Sequence, residues 1–150
     1  MRHRILLILL IAVTAVRVNA EPQKGFDAKA YNDELQAYVV KEAKLSPSDA
    51  QKFFTLYDAM RAEERKIFSK TRNTARRRPT TDEECRKAIM EKDENEILLK
   101  KIQQQHHLKM LKELPASTVM TCLFHAEKFD RMKLREMSAK RHAEKKRGHK

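Results

Sequence analysis

The stretch LSPSDAQKFFTLYDAMRAEERKIF, residues 45–68, combines a helix start, an apolar stripe and the densest aromatic run of the chain. Ser46 is a natural N-cap. Pro47 falls on the first helical position, where its missing N–H costs nothing, and Asp49 brings a negative charge to the positively polarised first turn. Beyond that start Ala50, Phe53, Phe54, Tyr57 and Met60 recur at steps of three and four, and Ile67 with Phe68 resume the same face. The pattern predicts a long amphipathic helix around which the other segments are arranged.

Upstream, a shorter helix is expected from Asp27 to about Lys44, with Tyr31, Leu35, Tyr38 and Val39 on one face. Downstream, the apolar pattern stops after Phe68, and residues 72–80 read as a loop. Arg76, Arg77 and Arg78 stand before Pro79 in that loop and form either a solvated basic turn or a patch that docks an anion or a partner. Thr81 and Glu84 fit a capping box, and no breaker follows until Glu113. The inward face of this third helix reads Cys85, Ile89, Glu96, Leu99, Ile102, His106 and Met110, the two polar residues being assigned to seams or rims. Leu114-Pro115 ends it and starts a fourth helix, with Val119, Leu123, Ala126, Leu134 and Met137 expected inward and Phe124, Phe129 and Met132 widening the arc. Lysine and arginine dominate the C-terminal stretch, and residues 144–150 are expected to form a basic tail without fixed structure.

Outward again, residues 1–20 have the layout of an export signal. Arg2 and Arg4 give a basic start, residues 5–16 an apolar run too short to span a bilayer, and Val18-Asn19-Ala20 a cleavage site ahead of Glu21. Residues 21–143 then form one domain. Cleavage removes Arg2, Arg4 and Arg17 and no acid, so the net charge falls from +12 to +9. For an exported chain that excess points to anionic surfaces and partly unfolded polypeptides rather than to nucleic acid. With two glycines and two cysteines, the chain lacks the means for a glycine-rich phosphate loop or a four-cysteine zinc ribbon.

No polarised nucleophile or pocketed carboxylate pair can be picked out, so no catalytic activity and no cofactor are expected. His106 and His125 fall at similar distances on either side of Leu114-Pro115, and Cys122 lies one turn from His125. These three are candidate metal ligands, although rim histidines account for the same spacing, and no fourth ligand completes the set. Cys85 and Cys122 differ in height by roughly 30 Å along a straight helical hairpin at 1.5 Å per residue, which forbids a bond within one chain and permits one between copies.

The export signal, the Leu45-Ser46-Pro47 start with its aromatic follow-on, and the Leu114-Pro115 restart leading to AEKFDR together resemble the Spy/CpxP-like family of periplasmic helical proteins with LTxxQ motifs. Ser46 stands where the motif has Thr and Asp49 where it has Gln; Leu114-Pro115-Ala116-Ser117-Thr118 keeps little beyond the leucine. The resemblance implies an all-α fold, a long antiparallel helical hairpin that dimerises into a curved cradle in the periplasm, and ATP-independent chaperone activity. Underburied Phe53, Phe54 and Tyr57 are the expected ground for the homodimer. Client contacts are expected at Arg61, Arg65 and Lys66 for capture, and at Phe68, Phe124, Phe129 and Met132 for apolar holding. Two other readings remain open: a stress- or metal-sensing accessory that docks on an acidic sensor domain, and a binder of anionic envelope surfaces.

Overall fold

The computed structural model describes residues 27–76 and 78–147. The expected signal peptide, the leader that follows it, Arg77 and the last three residues lie outside the described residues. Four helices make up the described chain: α1 (Ala28–Ala43), α2 (Pro47–Arg76), α3 (Asp82–Glu113) and α4 (Ala116–Arg147). Among the described residues there is no strand, and the all-α expectation holds.

Each boundary has a local cause. The Asp27 carboxylate accepts from the backbone N–H groups of Lys29 and Ala30, both at 3.0 Å, and so caps α1. Lys44 ends it in the left-handed region at φ 51°, which lets the Leu45 N–H reach back to the Val40 carbonyl at 3.1 Å. Leu45 then packs on the core, so the αL residue turns the chain directly into α2. Ser46 Oγ accepts from the Asp49 N–H at 3.1 Å. The capping box is complete, with Glu84 N–H on Thr81 Oγ and Thr81 N–H on the Glu84 carboxylate, each at 3.2 Å. Leu114 is extended ahead of Pro115, and α4 begins one residue later.

Two boundaries differ from the sequence reading. The helix α2 runs through Arg76, so the connecting segment is shorter than residues 72–80; Arg and Ala sustain the helix until the bias before Pro79 takes effect. At the other end α4 continues to Arg147, past the expected start of the tail, because its Lys, Arg, Glu and Ala residues are good helix formers with no breaker among them.

The helix α2 packs along α3, placing Glu63 beside His106 and Glu64 beside Gln103. The short α1 lies on α4: the rings of Tyr31 and Tyr38 meet Phe129 at centroid distances of 5.4 and 5.5 Å. One core joins the four. It contains Leu35 and Val39 of α1, the Phe53-Phe54-Tyr57-Met60 stripe of α2, Ile102 and Met110 of α3, and Val119, Cys122, Ala126 and Phe129 of α4. Phe53 and Tyr57 stack at 5.3 Å inside it. The expectation that Phe53, Phe54 and Tyr57 are underburied is therefore corrected: α1 and α4 cover the flank that a bare two-helix layer would expose.

The core occupies the end of the molecule near Leu114. Beyond Ile67 on α2, before Ile102 on α3 and beyond Phe129 on α4, no described residue is buried. This corrects three inward assignments, Ile89, Leu134 and Met137, all of which are exposed. Their helical periodicity is sound, but α3 and α4 outrun the partners that would cover them. His106 moves the other way, from the expected rim into the core.

Candidate functional site

The expected contact residues divide into two groups. Arg65 and Lys66 are exposed on α2, and Phe68 follows them at 53% exposure. On α4, Phe124 is 55% exposed and Met132 is also open, with Met120 one turn before Phe124 on the same side. Phe129 is different: it sits in the core between Tyr31 and Tyr38 and offers no surface to a partner. Its place in the expected contact set is corrected, because the α4 arc at that height is covered by α1.

Arg61 also leaves the capture set. It is 35% exposed and held on both sides, with one nitrogen 3.4 Å from Glu64 and another 3.7 Å from Asp130. Around it runs a polar cluster that ties all four helices together. Tyr31 of α1 donates its hydroxyl proton to Asp130 of α4, Arg61 of α2 meets the same carboxylate, and Gln103 of α3 donates to Glu64 at 2.7 Å. Glu64 is only 3% exposed, and Arg61 and Gln103 occupy its two oxygens. Burial and the Asp130 carboxylate push the Tyr31 hydroxyl well above its usual pKa; burial pushes Tyr57 up to about 12. Both phenols stay protonated, and Tyr31 acts as a donor. A polar cleft of about 160 Å³ opens beside the cluster, with His107 on its wall; burial lowers the His107 pKa, so the ring is neutral at pH 7. The cluster joins side chains of all four helices.

The metal candidates go to separate surroundings. His106 is buried with Nε2 3.2 Å from Glu63, while the His125 ring lies against Tyr38 and Phe124. The Nδ1 atoms of both rings are buried without a hydrogen-bond partner among the described residues. Cys122 is fully buried, and burial raises its thiol to about 11. Among the described residues, no three His, Cys, Asp or Glu side chains come together as a metal-holding group. Both cysteines are free thiols, Cys85 partly exposed and Cys122 in the core. A bond between copies can therefore use Cys85 without disturbing the fold, whereas Cys122 is out of reach. Of the basic loop, Arg76 closes α2 and Arg78 is exposed in the connection; Arg77 lies outside the described residues.

Sequence reasoning missed the Glu64 cluster. Its signal was present in the placement of Glu64 on the Tyr57-Met60-Ile67 face, where a carboxylate at a core position demands a partner. Comparison with protein-family models, with curated proteins and with solved structures finds no match for this chain.

Proposed function

We propose that this protein is an ATP-independent periplasmic chaperone that holds partly unfolded polypeptides on a basic, partly apolar helical surface. The observation that carries the reading is the set of large flexible or aromatic side chains left open among cations: Phe68 beyond Arg65 and Lys66, and Met120, Phe124 and Met132 beside Lys128 and Arg131. Cations draw in acidic segments from a distance, and methionine and aromatic side chains adapt to whatever apolar sequence follows. The resemblance of the Leu45-Ser46-Pro47 and Leu114-Pro115 segments to Spy/CpxP-like proteins favours the same reading.

The cradle is proposed to be a homodimer, seamed along the outer face of α3. Met90, Ile97, Gln104 and Leu111 repeat every seven residues on the side opposite Ile102, His106 and Met110, and the three apolar ones are exposed. Asp93, Glu94 and Glu96 precede Lys100, Lys101, Lys109 and Lys112 along that helix. A second copy laid antiparallel sets acids against lysines, so the face is self-complementary under a twofold axis.

The test is suppression of light scattering from an aggregating denatured client, without nucleotide, at low and moderate salt. Suppression at equimolar protein, weakened but not abolished by salt, is expected, since about 0.15 M salt shortens the screening length to about 8 Å and leaves close apolar contacts intact. No suppression at any ratio across several clients refutes the reading.

A further inference from the structure

Residues 128–147 of α4 hold nine Lys or Arg against Asp130, Glu136 and Glu144, and the two signs are sorted by side. Lys128, Arg131 and Arg135 follow one another at steps of three and four. Lys145 and Lys146 lie about three turns further along the same face, with Ser138 and His142 in the turns between. This face is opposite the line of Val119, Cys122, Ala126 and Phe129 that enters the core, and all seven of its residues are exposed. The three acids stand elsewhere. Asp130 is held by Tyr31 and Arg61, Glu136 pairs with Lys133 at 3.5 Å, and Glu144 continues the core-facing line of Ala126, Lys133 and Met137.

Glu127 is the acid at the margin of the face, and it is engaged: Arg131 meets it at 3.3 Å in an exposed pair that exchanges easily. Among the described residues the other four cations have no acidic partner. From Lys128 to Lys146 the row is about 27 Å long at 1.5 Å per residue. Exposed Met120 and Phe124 extend it in the N-terminal direction, each four residues before the next member. A flat anionic layer supplies a charge to every cation of such a row at once and touches only that side of the helix. A nucleic-acid duplex does not fit as well. Its major groove is about 12 Å wide, so a helix lodged in it presents both flanks to phosphates, which would bring Glu136 and Glu144 against like charge. Phosphates also offer nothing to Met120 and Phe124, whereas the boundary between headgroups and acyl chains accepts such side chains. Among the described residues no helix is long and apolar enough to cross a membrane, so the contact is peripheral.

We propose that the outer face of α4 docks on an anionic lipid bilayer, its cations on the headgroups and Met120 and Phe124 dipping toward the acyl chains. The proposal does not rest on client holding, although Met120 and Phe124 belong to both surfaces. Vesicle binding and suppression of aggregation are separate measurements, so either reading can fail alone.

The sequence has no tryptophan, so Phe124→Trp, at an exposed position, places a single fluorescent reporter on the face. The exported form, from Glu21 onward, keeps every described residue and is titrated with vesicles. Phosphatidylglycerol mixed into phosphatidylcholine is expected to shift the indole emission to the blue and to let brominated acyl chains quench it; phosphatidylcholine alone is expected to do neither. Each Lys or Arg at an anionic surface strengthens binding about fivefold, so Arg135→Gln with Lys146→Gln in the reporter background weakens it about 25-fold with helicity unchanged. Lys52→Gln with Lys87→Gln removes the same charge from exposed positions on α2 and α3 and is expected to change binding about twofold at most, because charges beyond the screening length of about 8 Å are hidden by salt. The proposal is overturned if anionic vesicles do not bind, if neutral vesicles bind equally well, if the two double variants lose affinity alike, or if binding leaves the indole emission unshifted. A DNA duplex or polyglutamate that shifts the indole where vesicles do not also overturns it, and assigns the face to nucleic acid or to acidic polypeptide.

Discussion

Arg61→Met tests whether Arg61 is a structural cation or a capture residue. In the fold it is the only cation within 4 Å of the buried Glu64 carboxylate among the described residues, at 3.4 Å. At an effective dielectric of about 20 that separation corresponds to a gross attraction of about 5 kcal/mol. Screening at the exposed third of Arg61 reduces this, and Gln103 keeps its bond to Glu64 when Arg61 is gone. The expected loss is about 3 kcal/mol, the lower end for removing one partner of a buried pair. The second half of the test is Arg61→Met combined with Glu64→Leu. This removes both charges and places two apolar side chains among Tyr57, Met60 and Leu123, so stability is expected to return to within about 1 kcal/mol of the parent. Urea unfolding of the full chain followed by far-UV circular dichroism measures both. A single-variant loss below about 1 kcal/mol, or a double variant no more stable than the single, refutes the structural role given to the cluster.

Further outcomes follow from the packing. Phe129→Ala is expected to cost about 3–5 kcal/mol through the cavity it leaves against Tyr31 and Tyr38, whereas Phe124→Ala stays within about 0.5 kcal/mol in the same unfolding assay and instead weakens client holding. Lys44→Gly is expected to raise the unfolding free energy by about 0.5 kcal/mol: relief of the left-handed Cβ clash exceeds the added flexibility of the unfolded chain. Alkali is expected to destabilise the fold. Between pH 9 and about 11 the unfolded chain loses the Cys122 proton that the folded chain retains, and Tyr57 does the same from pH 10 to about 12. The unfolded state then binds fewer protons, so stability falls as pH rises, by about 3 kcal/mol at most for each group. In pH-jump unfolding, Cys122→Ala should flatten the first part of that slope; an unchanged slope refutes the assignment.

What residues determine about themselves and their near neighbours was readable in the chain. The Ser46-Pro47 start, the Thr81–Glu84 box, the Leu114-Pro115 break and the Phe53-Phe54-Tyr57-Met60 stripe are local signals, with interaction partners within one turn or a repeat set by 3.6 residues per turn. Periodicity tells which face is apolar, but not how far along the helix a partner extends. Ile89, Leu134 and Met137 therefore read as core and are exposed, because coverage ends where α1 ends on α4 and where the core between α2 and α3 runs out. Phe129 and Phe124 look alike in sequence; only the position of α1 makes the first core and the second surface. Arg61 reads in sequence as a capture residue, and only the approach of Asp130, Tyr31 and Gln103 from three other helices ties it and the buried Glu64 into one cluster. Helix starts and stripes come from short-range sterics and hydrogen bonds, whereas burial depends on the relative lengths and placement of all four helices, which only the tertiary structure decides.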